Sequence, residues 1–202
     1  MLLNRLSLEA PHLPAGESPS VAPAPDELAL EIRGLGPRRA IEICARALGP
    51  GVGRLCMGLL GSRPEAEEAA QETFLQAAAG LEGFRGEGTI RSWIFRIARR
   101  TCARRLETRA RRQGRLVLAY EAGEGPARPD EEVEARDRGQ IVRAALAELR
   151  PSEQEVILLR FDAGLPFREV ALACGIDEAT ARKRASRALE RLRELLPLEE
   201  LR

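Results

Sequence analysis

One short stretch, residues 167–181, limits the possible folds more than any other part of the chain. It joins two helical patterns through a single glycine, Gly175, and leaves no room for a strand or a long loop between them. We expect Gly175 to adopt the left-handed conformation that ends the first helix. Asp177 can cap the second helix by accepting backbone N–H bonds near Thr180. The stretch therefore predicts a helix-turn-helix.

Apolar residues with helical spacing recur through most of the remaining sequence. The expected helices begin near Leu28 and then cover 40–47, 52–60, 64–81, 89–112, 141–149, 152–162, 167–174 and 178–196. No segment alternates apolar and polar residues between hairpin signals, and β-branched residues are sparse. We therefore predict an all-α fold.

Composition divides the chain into four parts. Residues 1–27 are rich in Pro, Ala, Ser and Gly and are expected to form a flexible tail, while 28–115 form a first helical domain. Gly, Pro and clustered acidic residues mark 116–137 as a flexible acidic linker. Residues 138–202 are expected to form a second helical domain, so the sequence predicts two small helical domains.

The sequence lacks the residues that several classes of function require. Four cysteines stand far apart with no C-x-x-C pair, and His12, the only histidine, falls in the expected tail. We expect buried free thiols, no metal site and no cofactor. No catalytic triad or phosphate-binding glycine loop is recognisable, so no catalytic residue is expected and the protein should not be an enzyme. Because Arg46 and Arg54 interrupt the most apolar run, we expect no membrane span and a cytoplasmic protein.

Positive charge is concentrated in two segments, although the net charge is only +1. Residues 91–115 hold ten arginines and one acid, Glu107, which favours an anionic partner such as nucleic acid. Trp93 and Phe95 lie among them, and we expect them in the core rather than stacked on bases. Lys183 is the only lysine; arginine suits phosphates and base edges, but a GC-rich genome explains the bias equally well.

The second helix of the helix-turn-helix carries the other cationic segment. Acidic residues are almost absent from 180–189, whereas a merely solvated helix face usually mixes both signs. An ordinary α-hairpin with a solvated arginine face is the alternative. We favour a helix that enters the major groove of DNA.

The segment 149–171, LRPSEQEVILLRFDAGLPFREVA, resembles the opening of the −35-reading domain of sigma factors. The resemblance continues through residue 188. It implies that the −35 element is contacted by Thr180, Arg182, Lys183, Arg184, Ser186 and Arg187. Three alanines, Ala179, Ala181 and Ala185, replace the glycine, valine and larger aliphatic residue that are usual in the family.

Three ordered motifs in the first half, 64–77, 81–86 and 93–99, resemble the polymerase-binding and promoter-melting domain of extracytoplasmic-function sigma factors. The resemblance implies docking on the clamp helices of the polymerase's largest subunit by Glu68, Gln71, Glu72 and Phe74. It implies −10 contacts from Phe84, Arg85, Gly86, Thr89, Arg96, Arg99, Arg100 and Arg104. Arg100 replaces a common asparagine and Arg104 a frequent aspartate.

The sequence thus predicts an alternative sigma factor that binds core RNA polymerase and directs promoter recognition, DNA melting and transcription initiation. Its expected partners are core polymerase and promoter DNA, both duplex and single-stranded, and an anti-sigma factor could also bind it. One alternative is a stand-alone helix-turn-helix transcriptional regulator with a degenerate first domain. Another is a protein-interaction module whose arginines bind acidic proteins.

Overall fold

A computed structural model describes residues 26–121 and 138–196. The expected tail before Asp26 and linker residues 122–137 lie outside this part. The described helices are α1 (Glu27–Glu31), α2 (Pro37–Leu60), α3 (Arg63–Gly80), α4 (Ile90–Glu121), α5 (Arg138–Ala147), α6 (Pro151–Ile157), α7 (Phe167–Cys174) and α8 (Glu178–Leu195). A 3₁₀ turn, Leu81–Gly83, follows α3, and a π-helical turn, Leu158–Asp162, follows α6. The all-α prediction is confirmed for the described residues.

Helix α2 differs from the prediction, because the two expected helices at 40–47 and 52–60 form one helix that runs through Pro50. A proline inside a helix removes one backbone hydrogen bond. Here both flanking turns bury an apolar face, from Ala40 and Leu48 to Leu55 and Leu60, which offsets that loss. Although α2 is long and apolar enough to cross a membrane, this buried face makes it a core helix.

Helices α2, α3 and α4 pack together as the first half of the fold. Phe95 is 1% exposed and lies at the centre of this core, as expected, whereas Trp93 is half-buried at its edge. The cysteines are free thiols, with Cys44, Cys56 and Cys102 buried. Burial raises the pKa of the Cys44 thiol to about 11, so this thiol stays protonated at neutral pH.

The helix-turn-helix forms as predicted. Gly175 ends α7 in the left-handed region with φ of 69°, and its N–H donates to the Ala171 carbonyl. Asp177 then caps α8, because its Oδ1 accepts the Thr180 N–H at 2.7 Å. The Thr180 hydroxyl also donates to this carboxylate, and its hydrogen bond, together with the one from the backbone N–H, lowers the pKa of the Asp177 carboxyl.

The two halves pack against each other and share one hydrophobic core. Helix α7 lies on α4, and the π-helical turn lies on α2. Buried residues from both halves, including Leu55, Phe95, Val156 and Leu165, belong to one continuous cluster. The docked arrangement covers part of the arginine-rich face of α4.

Candidate nucleic-acid interface

Helix α8 presents a cationic surface, but the residues that are predicted to contact DNA differ in their exposure and in their contacts. Lys183 and Arg187 are exposed, while Arg184 is half-buried. Thr180 serves the N-cap, since its hydroxyl donates to Asp177 Oδ2 at 2.6 Å. The Ser186 hydroxyl lies 3.4 Å from a carboxylate oxygen of Glu190 in the next turn.

Arg182 is held in place by its neighbours on α7 and α8. Its guanidinium lies 4.8 Å from the centroid of the Phe167 ring and 2.5 Å from Glu178 Oε1. Arg160 lies over the same ring at 5.1 Å, so two cations flank Phe167. Sequence reasoning did not predict these supporting roles for Phe167 and Arg160, because the contacts depend on how α7 packs.

Two of the alanines that depart from the family pattern, Ala181 and Ala185, are fully buried on the inner face of α8. Small side chains at these positions allow α8 to lie close to the helices beneath it. The substitutions therefore belong to the packing of the domain rather than to its DNA-facing side.

An acidic row on α3 pairs with an arginine row on α4. Arg105 contacts Glu68 at 2.9 Å and Glu72 at 3.1 Å, and these carboxylates raise the pKa of its guanidinium. Arg104 donates to Gln76 Oε1 at 3.0 Å and lies 3.7 Å from Glu72. These arginines partly neutralise the surface predicted to bind polymerase, and Arg104 points toward α3.

The remaining predicted polymerase contacts lie along the same helix. Gln71 is exposed, whereas Phe74 is half-buried and packs against the core. Leu75, which sequence reasoning did not select, is 72% exposed. The sequence could have indicated that Leu75 is exposed, because it follows the inward-facing Phe74 and consecutive helical residues point in different directions. The α3 surface thus combines acidic and amide groups with one apolar side chain.

The loop before α4 is held by hydrogen bonds and a ring contact at its base, and its tip is exposed. Ser92 and Thr89 cap α4 reciprocally, with the Ser92 N–H donating to Thr89 Oγ1 at 3.0 Å and the Thr89 N–H donating to Ser92 Oγ at 3.2 Å. Phe84 packs on Trp93, with 5.4 Å between the ring centroids. Arg85 and Gly86 are exposed at the tip. Thr89 is therefore a capping residue, while the loop tip faces solvent.

Three of the four arginines on α4 that are predicted to contact the −10 element, Arg96, Arg99 and Arg100, have different environments. Arg100 is exposed. Arg96 donates through Nε and Nη2 to the Leu172 carbonyl, at 3.0 and 2.6 Å. Arg99 pairs with Glu155 at 3.2 Å. Within the described residues, then, Arg96 and Arg99 contact the second half of the chain.

No group of three or more His, Cys, Asp or Glu side chains in the described ranges is arranged to hold a metal ion. The candidate site consists instead of exposed cations on α8 and α4 and an acidic surface on α3. Such a site can bind nucleic acid and protein.

Two family models match the chain in order, region 2 of the sigma-70 family at residues 44–112 and region 4 at residues 139–192. The chain is 32% identical over 165 residues to the ECF RNA polymerase sigma factor SigG of Mycobacterium tuberculosis, an alignment that covers 70% of this chain and 45% of SigG. It is 28% identical over 163 residues to SigC of the same species, covering 78% of this chain and 83% of SigC. The chain belongs to the extracytoplasmic-function (ECF) family of sigma factors.

This sigma factor spans less than half the length of SigG. Its fold is similar to that of RpoE from Bartonella quintana, solved with the anti-sigma factor NepR, with a TM-score of 0.58 at 24% identity over 76% of this chain and 94% of RpoE. It is also similar to CnrH, solved with the cytosolic domain of CnrY, with a TM-score of 0.61 at 24% identity over 84% of this chain and 95% of CnrH. These likenesses establish the fold.

Proposed function

We propose that this ECF sigma factor is a non-catalytic subunit that binds core RNA polymerase in the cytoplasm and directs it to promoters. The observation that carries the proposal is the occurrence of both sigma-70 regions, in order, on one chain. Region 4 offers an exposed cationic helix, α8, and region 2 offers the α3 surface. The catalysis would belong to the polymerase.

In this proposal, α8 reads the −35 duplex. Lys183 and Arg187 project from it, and Arg182 is held by Phe167 for a defined approach. Thr180 and Ser186 would act mainly by stabilising α8, since their hydroxyl groups contact Asp177 and Glu190 of the same segment. Guanidinium groups contact guanine edges well, and each good contact contributes about 1–3 kcal/mol of discrimination.

The single-stranded −10 element would contact α4 and the tip of the loop that precedes it. Arg85, Gly86 and Arg100 are accessible to it, and Phe84 and Thr89 shape the base of the loop. Arg96 and Arg99 would join them once the helix-turn-helix half moves away from α4. Because Arg104 contacts side chains of α3, we do not include it among the residues that contact DNA.

Core polymerase would dock on α3 through Glu68, Gln71 and Glu72, with Leu75 as an added apolar contact. An acidic surface suits a basic partner helix, as the family resemblance implies for the polymerase clamp. Phe74 supports this surface from beneath. An anti-sigma factor is a further proposed partner, supported by the complex of RpoE with the anti-sigma factor NepR.

We place the region 2 domain at 26–115, the linker at 116–137 and the region 4 domain at 138–202, after a tail at 1–25. The matched family regions lie within the two domains. Helix α4 continues to Glu121, so the linker begins as a helical extension. At the other end, Asp26 and α1 already belong to the folded part.

The direct test is transcription by core RNA polymerase supplemented with the full chain on a promoter library with randomised −35 and −10 elements. Enriched elements that depend on the added chain would support the proposal. Sequence-specific duplex binding without any transcription would instead favour a stand-alone regulator. Binding to acidic proteins with little salt-dependent DNA binding would favour an interaction module.

For α8, we expect Arg187→Ala and Arg184→Ala to reduce discrimination at −35 positions by roughly 1–3 kcal/mol, measured as relative affinities for single-base variants of a selected element. Arg191→Ala, an exposed arginine farther along α8, is the matched control. A uniform loss of affinity for all sequences would mean that the residues contact only phosphates.

A further inference from the structure

One carboxylate, Glu178, lies at the beginning of the helix that is proposed to read the −35 duplex. It is the first residue of α8 and lies about one turn before Arg182. Its Oε1 accepts a hydrogen bond from Arg182 Nη2 at 2.5 Å. The two side chains are 39% and 40% exposed, so the pair lies at the surface. A carboxylate at this place opposes the binding of DNA phosphates nearby.

The carboxylate and an aromatic ring together fix the guanidinium of Arg182. The ring belongs to Phe167, the first residue of α7, and its centroid lies 4.8 Å from the guanidinium carbon. Phe167 is only 6% exposed, so the ring is itself held by packing. An acid placed four residues before a base is also the favoured order for an ion pair on a helix. Arg182 therefore loses rotational freedom before it meets DNA, which lowers the entropic cost of an oriented contact.

The other cations of the α8 surface have different surroundings. Lys183 and Arg187 are exposed and Arg184 is half-buried. Among the residues that the structure describes, none of these three forms an ion pair, whereas Arg182 pairs with Glu178. The surface thus combines three cations suited to phosphates with one arginine whose charge is offset.

Phosphates and base edges respond differently to such an offset. Attraction between a cation and a phosphate depends on net charge and on counterion release, so an adjacent carboxylate weakens it. Guanine N7 and O6 are uncharged acceptors, and an oriented guanidinium can still donate to them. A carboxylate beside an arginine therefore lowers its affinity for the DNA backbone more than its affinity for a guanine edge.

We infer that Glu178 determines specificity at one −35 position: with Phe167 it holds Arg182 for a guanine edge and disfavours phosphate contacts by the same side chain. This role rests on the proposed reading of the −35 duplex by α8. Glu178 acts through Arg182, so it is a positioning residue.

Glu178→Gln tests this role, because it removes the charge and keeps the size of the side chain. Glu190→Gln is the matched control, since it removes an equal charge from an exposed position farther along α8. Affinities of the full chain are measured for random duplexes at several salt concentrations. They are also measured for the preferred element of a randomised duplex library and for its single-base variants. Discrimination is the ratio of affinities for the preferred base and a variant base.

We expect Glu178→Gln to bind random duplexes up to about eightfold more tightly at about 0.1 M salt, with a salt slope steeper by about one unit, as for one added phosphate contact. Its discrimination should fall about tenfold at a single position. Arg182→Ala should lose discrimination at that same position, and adding Glu178→Gln to it should change nothing further there. Glu190→Gln should keep the discrimination of the wild type at every position.

Variants of the ring provide a second test. Phe167→Leu keeps an apolar side chain but removes the aromatic face, so discrimination should fall at the position that Arg182→Ala identifies. Phe167→Tyr should restore it. Phe161→Leu is the matched control, because its ring contacts Arg160, which also lies over Phe167. Thermal melting followed by circular dichroism checks that each variant is folded.

Unchanged discrimination in Glu178→Gln, or a loss equal to that of Glu190→Gln, would overturn the inference. A lower melting temperature with unchanged discrimination would also overturn it, because Glu178 would then only stabilise the first turn of α8. Transcription with core polymerase separates this role from the proposed function. Duplex discrimination that depends on Glu178 without promoter-dependent transcription contradicts only the sigma function, whereas transcription with unchanged discrimination in Glu178→Gln contradicts only the role of Glu178.

Discussion

Arg105 donates to two carboxylates, Glu68 and Glu72, in the acidic row that a basic polymerase helix would contact. Its own exposure is 29%, while those of the two carboxylates are 68% and 39%. Ion pairs this accessible contribute little to folding. They do, however, place an internal cation where the partner's cations would have to bind.

We therefore expect Arg105→Ala to strengthen association with core polymerase by up to about fivefold, the equivalent of one exposed ion pair. Fluorescence anisotropy of labelled chain titrated with core polymerase measures the change. Arg111→Ala, which removes a more exposed pair with Glu107 on the same helix, is the control. Weaker association would indicate that Arg105 itself contacts polymerase or orients the carboxylates.

Arg100 is the exposed −10 candidate that departs from the family pattern, because guanidinium only donates hydrogen bonds whereas the usual amide also accepts them. We expect Arg100→Asn to change the preferred −10 base if Arg100 reads an acceptor-rich base such as guanine. If Arg100 instead contacts a phosphate, the preferred −10 bases stay the same. The dependence of open-complex formation on salt concentration then becomes shallower by about one unit of slope. A randomised −10 library assayed at several salt concentrations distinguishes the two. No change in either quantity would remove Arg100 from the interface.

Individual elements show where local sequence predicts structure and where it does not. The turn between α7 and α8 was predictable because Gly175 and Asp177 act on residues within four positions of themselves. The single helix through Pro50 was not, because burial of both its flanks offsets a local signal to stop. The pairing of Arg99 with Glu155 was likewise hidden, since two residues far apart in sequence leave no periodic pattern.

Asp26 is the sharpest example of such a distant contact. Residues up to 27 were expected to be tail, yet Asp26 Oδ1 accepts the Ala29 N–H at 3.2 Å and its Oδ2 accepts the Ile90 N–H at 2.6 Å. One carboxylate therefore serves the N-termini of both α1 and α4. It links the start of the folded chain to the helix that carries the −10 arginines.

We expect Asp26→Ala to destabilise the fold by about 1–2 kcal/mol, the usual effect of losing a cap. This corresponds to a fall of about 2–8 °C in melting temperature, measured by circular dichroism. Asp26→Asn keeps the accepting oxygen and should lose less. An unchanged melting temperature for Asp26→Ala would contradict a capping role.

At the scale of the whole molecule, a half-buried carboxyl group, Glu169, lies on α7, the helix that packs against α4. Burial raises its pKa above the usual 4.5, and the negative charge of Asp26 adds to the rise, while Arg91 and Arg168 oppose it. A carboxyl whose pKa is raised in the folded state contributes stability at low pH. That contribution is lost as the pH rises through the raised pKa.

The docked state should therefore weaken as the pH rises from 4.5 through the raised pKa of Glu169, and the radius of gyration should increase over that range. Glu169→Gln should abolish this dependence, because the amide does not titrate. The measurement is small-angle scattering of both chains at constant salt. A wild type that becomes more compact over the same range would contradict the assignment to Glu169.

The hydrophobic core that both halves share has a consequence for how this protein can be divided. Because the contacts between the halves do not depend on the peptide bonds that join them, cutting the chain within 122–137 should yield two polypeptides that remain associated. Co-expressed as separate fragments, they should co-purify and complement each other. Gly58→Leu should separate them, because an added Cβ at Gly58 would lie 2.7 Å from Leu158 Cδ2. The linker would then serve as a tether, raising the local concentration of two pieces that already recognise each other.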